Sequence, residues 1–327
     1  MTEREQHIVD FLSNAGWAHA TIHKMAGDLS ARRFLRLARR DGTRAVLMDA
    51  DPAVDRSTAA FLSMTNWLAA CGLSAPKVFD AQVDQGLVLL QDFGDEKLAG
   101  LIQLYPERQR EYYNLAIDAL LIIRDASHPG LIRPSARQMA EATTMVGEWY
   151  PHANRTALAQ FRIVLESALE ELLRTEPTVS LRDFHADNLM WLSDQKGVLR
   201  LGFLDYQDAI LTHPVYDLMS LLTDARVAVP RALRAEMIEV YAAKTSDSVE
   251  SISRAVAVLG AQRNLRILGI FARSASRYGK SQHLDSLARV YSYLLECLSH
   301  QVFADNCPIL SEMIPEPNAK LLSELRT

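Results

Sequence analysis

The chain has 327 residues, 49% hydrophobic and 23% charged, which allows two modest domains with buried cores. With 35 Lys and Arg against 40 Asp and Glu, the net charge of −5 argues against a general nucleic-acid or anionic-membrane binder, because such proteins rely on a positive field. Three cysteines without a CxxC pair give neither a disulfide framework nor a thiolate zinc site. The charged start MTEREQHIVDFL is not typical of a signal peptide, and the longest apolar run, LAIDALLII, is too short for a membrane span. We therefore expect a cytoplasmic protein whose partner is a small molecule.

The first 93 residues predict a small sheet accompanied by helices. An amphipathic helix over 3–16 precedes three short strands, in ATIHKMAGD, RRFLRLARRDG and TRAVLMDADP, separated by turns of Gly and Asp. A second helix, Ser57–Ala70, precedes two more strands in KVFDAQVDQGLVLLQDFGD. The first three strands predict an antiparallel meander, and the whole segment predicts an N-terminal lobe over 1–93.

From residue 94 to residue 327 the apolar spacing is mostly helical. The exceptions are the opening stretch and GVLRLGFLDYQDAI (197–210), whose alternating apolar residues predict a hairpin. We therefore expect an α+β fold of two lobes, a small antiparallel β-rich lobe and a larger helical one. A cleft at a hinge near LLQDFGDE is the expected ligand site.

Two segments of the second half carry oxygen ligands. In LRDFHADN, Asp183 and Asn188 share a short loop, and the next apolar strand leads to Asp205 in FLDYQDA. Phosphoryl transfer needs a carboxylate that orients the attacking hydroxyl and two oxygen ligands that hold Mg²⁺ on the nucleotide phosphates. An aspartate, a loop asparagine and a second aspartate supply these parts.

These motifs resemble the catalytic loop and the metal-binding strand of the aminoglycoside phosphotransferase and choline kinase family, relatives of the protein kinases. The resemblance implies a protein-kinase-like fold, with Asp183 as the catalytic aspartate and Asn188 and Asp205 as magnesium ligands. It also implies that ATP binds at the hinge, around Gln91 and Phe93, through backbone groups. The order of the two lobes extends the resemblance over nearly the whole chain.

Neighbouring side chains have supporting roles in this interpretation. Asp217, in HPVYDLMSLL, resembles the family's aspartate that begins a helix and braces the catalytic loop, a capping role. His185 is expected to stabilise the loop by hydrogen bonding, and Asp187 to do the same or to touch the substrate. A zinc site on the D-x-H-x-D pattern lacks further ligands at a recognisable spacing. The YGKS segment follows a helix and lacks the first glycine of a phosphate-binding loop, so Gly279 predicts a helix end.

The third strand departs from the kinase pattern. Met48 stands where a lysine would grip the nucleotide phosphates, and the helix 57–70 has no glutamate to pair with it. In AGDLSARRFLRL, Ser30 belongs to the turn expected to cover the phosphates. Arg32 or Arg33, with Arg33 preferred, would supply the missing cation through its planar donor fork. A solvated strand arginine is the alternative.

Three segments resemble one subgroup of the family, the anomeric kinases acting on N-acetylmuramate and N-acetylglucosamine, in which the strand lysine is also missing. These segments are GDLSARRF, VLMDADP and the helix GAQRNLRILGIFARSASRYGK. At about 100° per residue, one face of that helix carries four arginines, which either form a solvated face or approach the acceptor or nucleotide. They are Arg263, Arg266, Arg273 and Arg277.

The charge distribution bears on the substrate. Residues 231–327 contain 12 Lys and Arg against 10 Asp and Glu, whereas a site for a polycationic aminoglycoside is expected to be rich in acid there. Choline needs an aromatic cage, for which no cluster is obvious. We therefore predict phosphoryl transfer from ATP to a sugar hydroxyl, favouring the anomeric hydroxyl of an N-acetylated amino sugar, as in cell-wall recycling. The alternatives are an aminoglycoside phosphotransferase and, because the lysine–glutamate pair is missing, a non-catalytic nucleotide-binding pseudokinase.

Overall fold

The computed structural model describes residues 1–25, 32–127, 130–304 and 308–326. In chain order its helices and strands are α1 (Glu3–Asn14), β1 (Thr21–Lys24), β2 (Arg33–Ala38), β3 (Arg44–Asp49), α2 (Thr58–Ala70), β4 (Val78–Gln82), β5 (Leu87–Gln91), α3 (Leu98–Leu104), α4 (Gln109–Asp125), α5 (Ala136–Glu141), α6 (Thr144–Trp149), α7 (Arg155–Leu172), β6 (Thr178–Ser180), β7 (Leu189–Trp191), β8 (Leu201–Phe203), β9 (Ile210–Thr212), α8 (Tyr216–Leu222), α9 (Arg231–Thr245), α10 (Val249–Tyr278), α11 (Leu287–Leu298), α12 (Leu310–Met313) and α13 (Ala319–Glu324).

The chain divides into two units, each described by itself below. Unit 1 comprises Met1–Leu98 and Asn188–Ala209, and unit 2 comprises Ala99–Asp187 and Ile210–Thr327. The segment 188–209 returns to unit 1 because its hairpin bonds to backbone there: Trp191 N donates to Glu96 O at 2.7 Å, and Phe203 N donates to Ser74 O at 2.9 Å. Unit 1 is therefore discontinuous in sequence, whereas the sequence analysis placed a single boundary after residue 93.

The sheet of unit 1 has the strand order β1-β2-β3-β5-β4, with every neighbouring pair antiparallel. The first three strands pair in chain order, as the predicted meander requires, whereas β5 and not β4 pairs with β3. Its central strand β3 is buried on both faces from Ala45 to Asp49. Between β4 and β5 the chain turns at Gly86, whose φ is +64° and whose position leaves 1.8 Å between a built Cβ and Ala50 O. A side chain there would therefore collide with the backbone.

Helix α1 covers one face of this sheet. Its start is fixed by a capping box, in which Thr2 and Glu5 exchange backbone and side-chain hydrogen bonds. Its apolar residues Phe11 and Leu12 join a core cluster that includes Leu37 of β2 and Leu47 of β3. The cluster shows that the odd-numbered residues of these strands face α1.

The hairpin predicted within 197–210 is wrong. Strand β8 pairs with β7, with Leu189 opposite Phe203, and β9 pairs with β6, with Val179 opposite Leu211. Sequence periodicity finds strands but does not specify partners, and here the partners of both strands lie upstream.

Unit 2 is mainly helical, as predicted, and α10 is its central helix. By length and composition α10 could cross a membrane, but 83% of its most apolar window is buried within the protein. A helix that is buried over most of its length and packed against α6, α8 and α11 is a core helix. It ends at Gly279, whose φ of +64° provides the left-handed C-cap that the sequence predicted.

Candidate functional site

The loop that carries Asp183 is held by a buried carboxylate of α8 in unit 2. Asp217 accepts hydrogen bonds from the Ser180 hydroxyl at 2.7 Å and from the backbone N of Leu181 and Arg182 at 2.6 and 3.1 Å. The bracing role expected of Asp217 is thus confirmed. Its capping role is wrong, since α8 has Val215 as its N-cap and no side-chain cap. A loop with its backbone donors satisfied by one carboxylate has little freedom to shift.

The backbone just before Asp183 is in a sparsely populated conformation. Arg182 has a φ of +67°, which a non-glycine residue rarely adopts. Its carbonyl accepts a hydrogen bond from the Ser220 hydroxyl at 3.3 Å, so α8 also holds this side of the loop. Such strain costs on the order of 1–3 kcal/mol and persists where the surroundings fix it, as they do at functional sites.

A second carboxylate holds the far side of the loop. Asp224, which is fully buried, accepts hydrogen bonds from Ala186 N at 3.1 Å and from Arg226 N at 2.7 Å. The Arg226 guanidinium in turn contacts His185 Nε2 at 3.1 Å. His185 therefore stabilises the loop by hydrogen bonding, as expected.

Burial dominates the electrostatics around Asp183. It raises the pKa of Asp217 to about 6, against its hydrogen bonds and with a further contribution from the charge of Asp183. Burial also lowers the pKa of Arg263 on α10, while Tyr216 and Asp183 raise it. The charge of Arg263, with 3% of the residue exposed, therefore interacts with that of Asp183.

The four-arginine face of α10 is graded from buried to exposed. Arg263 is buried, Arg266 and Arg273 are half-buried, and Arg277 is exposed beside the rings of Trp149 and Tyr278. A uniformly solvated face, one of the two sequence interpretations, is wrong at Arg263.

Asn188 and Asp205 lie at one end of the β7–β8 hairpin in unit 1. Asn188 precedes β7 and Asp205 follows β8 by two residues, and Leu204 N donates to Asn188 O at 3.0 Å. The structure thus brings these two predicted ligands to the same hairpin end. Asp183 belongs to unit 2.

Asp205 has an unusual backbone and a cationic partner. Its φ is +59°, again in the left-handed region. Its Oδ1 accepts hydrogen bonds from Arg32 Nη2 at 2.9 Å and from Gln207 Nε2 at 3.0 Å. The next residue, Tyr206, is buried against α2, where its ring stacks on Phe61 at 5.3 Å and its hydroxyl lies 2.8 Å from Thr65 Oγ1. These contacts fix the turn that presents Asp205.

Arg33, the preferred cation of the sequence analysis, has a different partner. Its Nε donates to Asp49 Oδ2 at 2.8 Å, and Asp49 also accepts from Arg4 Nε of α1 at 2.9 Å. The structure places Arg32, not Arg33, beside Asp205. Strand alternation contained this signal, because Arg33 shares the α1-facing side of β2 with Leu35 and Leu37. Ser30 lies outside the described residues.

Met48 is fully buried in β3, opposite Phe34 and Val88 in the neighbouring strands. Its position is part of the core of the sheet. The arginine that contacts Asp205, Arg32, lies just before β2 and not in β3.

Gln91 and Phe93, which the sequence predicts at a hinge, lie at the end of β5 and two residues after it, within unit 1. The side-chain oxygen of Gln91 accepts from Lys77 N at 3.3 Å, so this side chain fastens the edge of the sheet. Phe93 packs on Gly202 of β8, where a Cβ would lie 2.8 Å from its ring. Between them Asp92, which sequence reasoning missed, accepts from Gly94 N at 2.9 Å and from Arg36 Nη2 at 3.0 Å and so shapes the turn.

The donor chemistry of Asn188 and Asp205 suits a hard divalent cation. A carboxylate and an amide oxygen are ligands that Mg²⁺ prefers, with further positions left for water and phosphate. Over the described ranges there is no group of three or more His, Cys, Asp or Glu residues that could hold a metal. The pair fits magnesium bound mainly through a nucleotide.

Comparison with known proteins agrees with the fold and the motifs. The model of the phosphotransferase enzyme family matches residues 21–252. An N-acetylmuramate/N-acetylglucosamine kinase of Caulobacter vibrioides is 32% identical to this chain, over 93% of this chain and 95% of its own. The chain therefore belongs to the phosphotransferase enzyme family and is a kinase-type phosphotransferase.

Solved structures with the same fold include members of both branches named by the sequence resemblance. A choline/ethanolamine kinase family protein from Mesorhizobium loti superposes with a TM-score of 0.65 at 13% identity, covering 99% of each chain. An ADP-bound aminoglycoside phosphotransferase superposes with a TM-score of 0.61 at 13% identity, covering 92% of this chain and 99% of its own. The predicted kinase-like α+β fold is confirmed.

Proposed function

We propose that this phosphotransferase moves the γ-phosphoryl group of ATP to the anomeric hydroxyl of an N-acetylated amino sugar, with N-acetylmuramate and N-acetylglucosamine as favoured acceptors. The observation that carries the proposal is the 32% identity, along nearly the full length of both chains, to a kinase named for these two sugars. Similarity over the whole chain includes the C-terminal helices, the region expected to contact the acceptor.

In this reaction Asp183 accepts a hydrogen bond from the acceptor hydroxyl and orients it toward the phosphorus. The fixed loop gives this orientation, because Asp217, Ser220 and Asp224 hold its backbone on three sides. Kinase catalysis depends mainly on positioning and charge stabilisation, so a rigid loop is a direct contribution to rate.

Asn188 and Asp205 would hold Mg²⁺, which supplies charge neutralisation on the transferring phosphoryl group. The side chain of Asp205 is 45% exposed, so a nucleotide-bound metal can reach it.

The balance of charge in the C-terminal helices supports the choice of acceptor. Residues 231–327 have a net charge of +2, and one of their basic residues, Arg263, is a buried cation whose charge acts on Asp183. A polycationic antibiotic would be repelled by such surroundings, whereas a neutral or carboxylated sugar would not.

The test is ADP release with N-acetylmuramate, N-acetylglucosamine, kanamycin and choline as acceptors. We expect turnover with the two sugars, lost in Asp183→Asn and kept in Asp194→Asn, an exposed aspartate of the β7–β8 connection that serves as the matched control. Turnover with kanamycin alone would replace the proposal by an aminoglycoside phosphotransferase. ATP binding without turnover on any acceptor, unchanged by Asp183→Asn, would indicate a pseudokinase.

A further inference from the structure

Arg32 is a buried cation placed between two carboxylates of unit 1. Its guanidinium reaches Asp205 Oδ1 through Nη2 at 2.9 Å and Asp55 Oδ2 through Nε at 3.5 Å, and its side chain is 6% exposed. Asp55 lies just before α2 and is itself fixed, since its Oδ1 accepts from Ser57 N at 2.8 Å. A guanidinium in this position is permanently charged and already desolvated.

On the basis of the proposed function, we propose that Arg32 binds the nucleotide phosphates in place of the missing strand lysine and exchanges Asp205 for them. In the structure Arg32 pairs with Asp205, which is a predicted metal ligand. In the loaded protein Asp205 turns to the metal and Arg32 turns to the phosphates, while Asp55 keeps the guanidinium in place. The exchange leaves neither the buried guanidinium nor the half-exposed carboxylate without a partner.

The ion pairs Arg32–Asp205 and Arg33–Asp49 differ in the exposure of their carboxylates. Asp205 is 45% exposed and can accept a new ligand, whereas Asp49, the partner of Arg33, is 1% exposed and bound by Arg4 as well. If Arg33 moved away, the buried Asp49 carboxylate would lose one of its two arginine partners. Leaving a buried charge partly unpaired is strongly unfavourable. Arg33 therefore stays with Asp49, and Arg32 is the arginine that can change partners.

The alternation of side chains along β2 also favours Arg32 over Arg33 as the arginine that binds the phosphates. Arg32 and Arg36 lie on the side of β2 opposite to α1, and Arg36 donates to Gly94 O of the hinge at 2.8 Å. The phosphate-binding cation thus comes from the same side of the sheet as the residues that shape the hinge.

The exchange predicts that removing Arg32 changes the affinity for a free divalent ion and the affinity for a nucleotide in opposite directions. Arg32 competes with a free divalent ion for Asp205 but assists a nucleotide, so its removal strengthens the first interaction and weakens the second. A residue that only stabilised the fold would weaken both. Opposite signs therefore separate phosphate binding from a structural role.

The experiment measures binding without any acceptor sugar. Binding of Mn²⁺ alone is followed by electron paramagnetic resonance of the free ion, and binding of Mg·ATP and of adenosine by calorimetry. The variants are Arg32→Gln and Arg32→Lys, with Arg56→Ala, an exposed arginine of the β3–α2 connection that also carries Asp55, as the matched control. Circular dichroism checks that each variant is folded.

For Arg32→Gln we expect Mg·ATP to bind about 10- to 100-fold more weakly, the loss of one or two charge-assisted contacts, while adenosine binding is unchanged. Mn²⁺ alone should bind several-fold more tightly. Arg32→Lys should recover part of the ATP affinity, and Arg56→Ala should match the unaltered protein. If Arg32→Gln does not fold, Arg32→Lys and Asp55→Asn provide the same comparison, with smaller losses for ATP.

Unchanged ATP binding, or a parallel loss of ATP and Mn²⁺ binding, would overturn the assignment. Failure of the proposed function gives a different result: the sugars would not turn over while the opposite signs for ATP and Mn²⁺ persisted. The role of Arg32 and the identity of the acceptor are thus tested separately.

Discussion

The loop of Asp183 and the turn of Asp205 are held by different kinds of interaction. Around Asp183, buried groups of α8 and the segment after it bind backbone atoms, and those groups have no access to water. Around Asp205, a half-exposed carboxylate is bound by side chains, Arg32 and Gln207. The first arrangement fixes a geometry, while the second can change partners.

This difference matches the two tasks of a phosphotransferase. Orienting a hydroxyl requires a group whose position does not change during turnover. Holding a metal that arrives and leaves with a nucleotide requires a ligand that can be satisfied in both states, since an uncompensated carboxylate is costly. Substitutions in the two regions should therefore have different consequences.

The largest effect is expected at Asp183. Asp183→Asn keeps the size of the side chain but removes the carboxylate, so kcat should fall by about 10²- to 10⁴-fold, the usual contribution of a positioned base. Binding of Mg·ATP and the melting temperature should stay close to those of the unaltered protein. Steady-state kinetics and calorimetry measure both, and a kcat within a few-fold of the unaltered enzyme would remove Asp183 from the catalytic role.

Asp217→Ala should destabilise the loop that carries Asp183. It leaves the Ser180 hydroxyl and the backbone N of Leu181 and Arg182 without their acceptor, at a cost of roughly 3 kcal/mol or more in unfolding free energy. Urea denaturation measures this loss. Ser220→Ala, which removes one weaker bond to the same loop, is the matched control and should cost about 1 kcal/mol. Equal effects would mean that Asp217 does not brace the loop.

His213 should make the stability of unit 2 depend on pH. It is buried before α8, its Nδ1 accepts from Val215 N at 3.2 Å, and burial lowers its pKa from 6.5 to about 4. Between these values the unfolded chain binds more protons, so this contribution is complete above pH 6.5 and is lost as the pH falls toward 4, by up to roughly 3 kcal/mol.

Asp217 contributes in the opposite direction over part of that range, because its pKa is raised from 3.8 to about 6. The comparison of His213→Asn with the unaltered protein isolates the histidine. We expect the variant to lose less stability between pH 6.5 and 4 in urea titrations. A loss as large as that of the unaltered protein would show that His213 titrates normally.

The smallest effect is expected at the hinge. Gly202→Ala places a methyl group against the ring of Phe93, which must shift, at a cost of about 1–3 kcal/mol. If Phe93 borders the adenine site, the KM for ATP should rise while kcat is nearly unchanged. Gly100→Ala, at a position with open space around it, is the control. An unchanged KM in a destabilised Gly202→Ala variant would separate Phe93 from nucleotide binding.

The sequence predicted most of the elements because their signals are local. Strand alternation, helical apolar spacing and turns of Gly and Asp identified the five strands of the sheet and the helices α1 and α2 of unit 1. What failed was pairing between distant segments: β8 and β9 are strands, but their partners are β7 and β6. Such register depends on tertiary packing, which periodicity does not contain.

For the candidate site, the sequence identified the kinds of residue involved but did not distinguish correctly between the adjacent arginines Arg32 and Arg33. Asn188 and Asp205 were found by spacing and lie together. The preference for Arg33 over Arg32 ignored strand alternation, which puts Arg33 on the α1 side with Asp49. Asp92 and Asp224 escaped notice because an isolated acidic residue gives no sequence signal until its backbone partners are known.

The most direct test of the central claim is the ³¹P NMR spectrum of the product formed from N-acetylglucosamine, ATP and Mg²⁺. The account predicts a phosphomonoester resonance coupled to the anomeric proton, together with loss of the reducing end, and neither with Asp183→Asn. An ester at another hydroxyl with the reducing end retained, or no ester from either amino sugar, would contradict it.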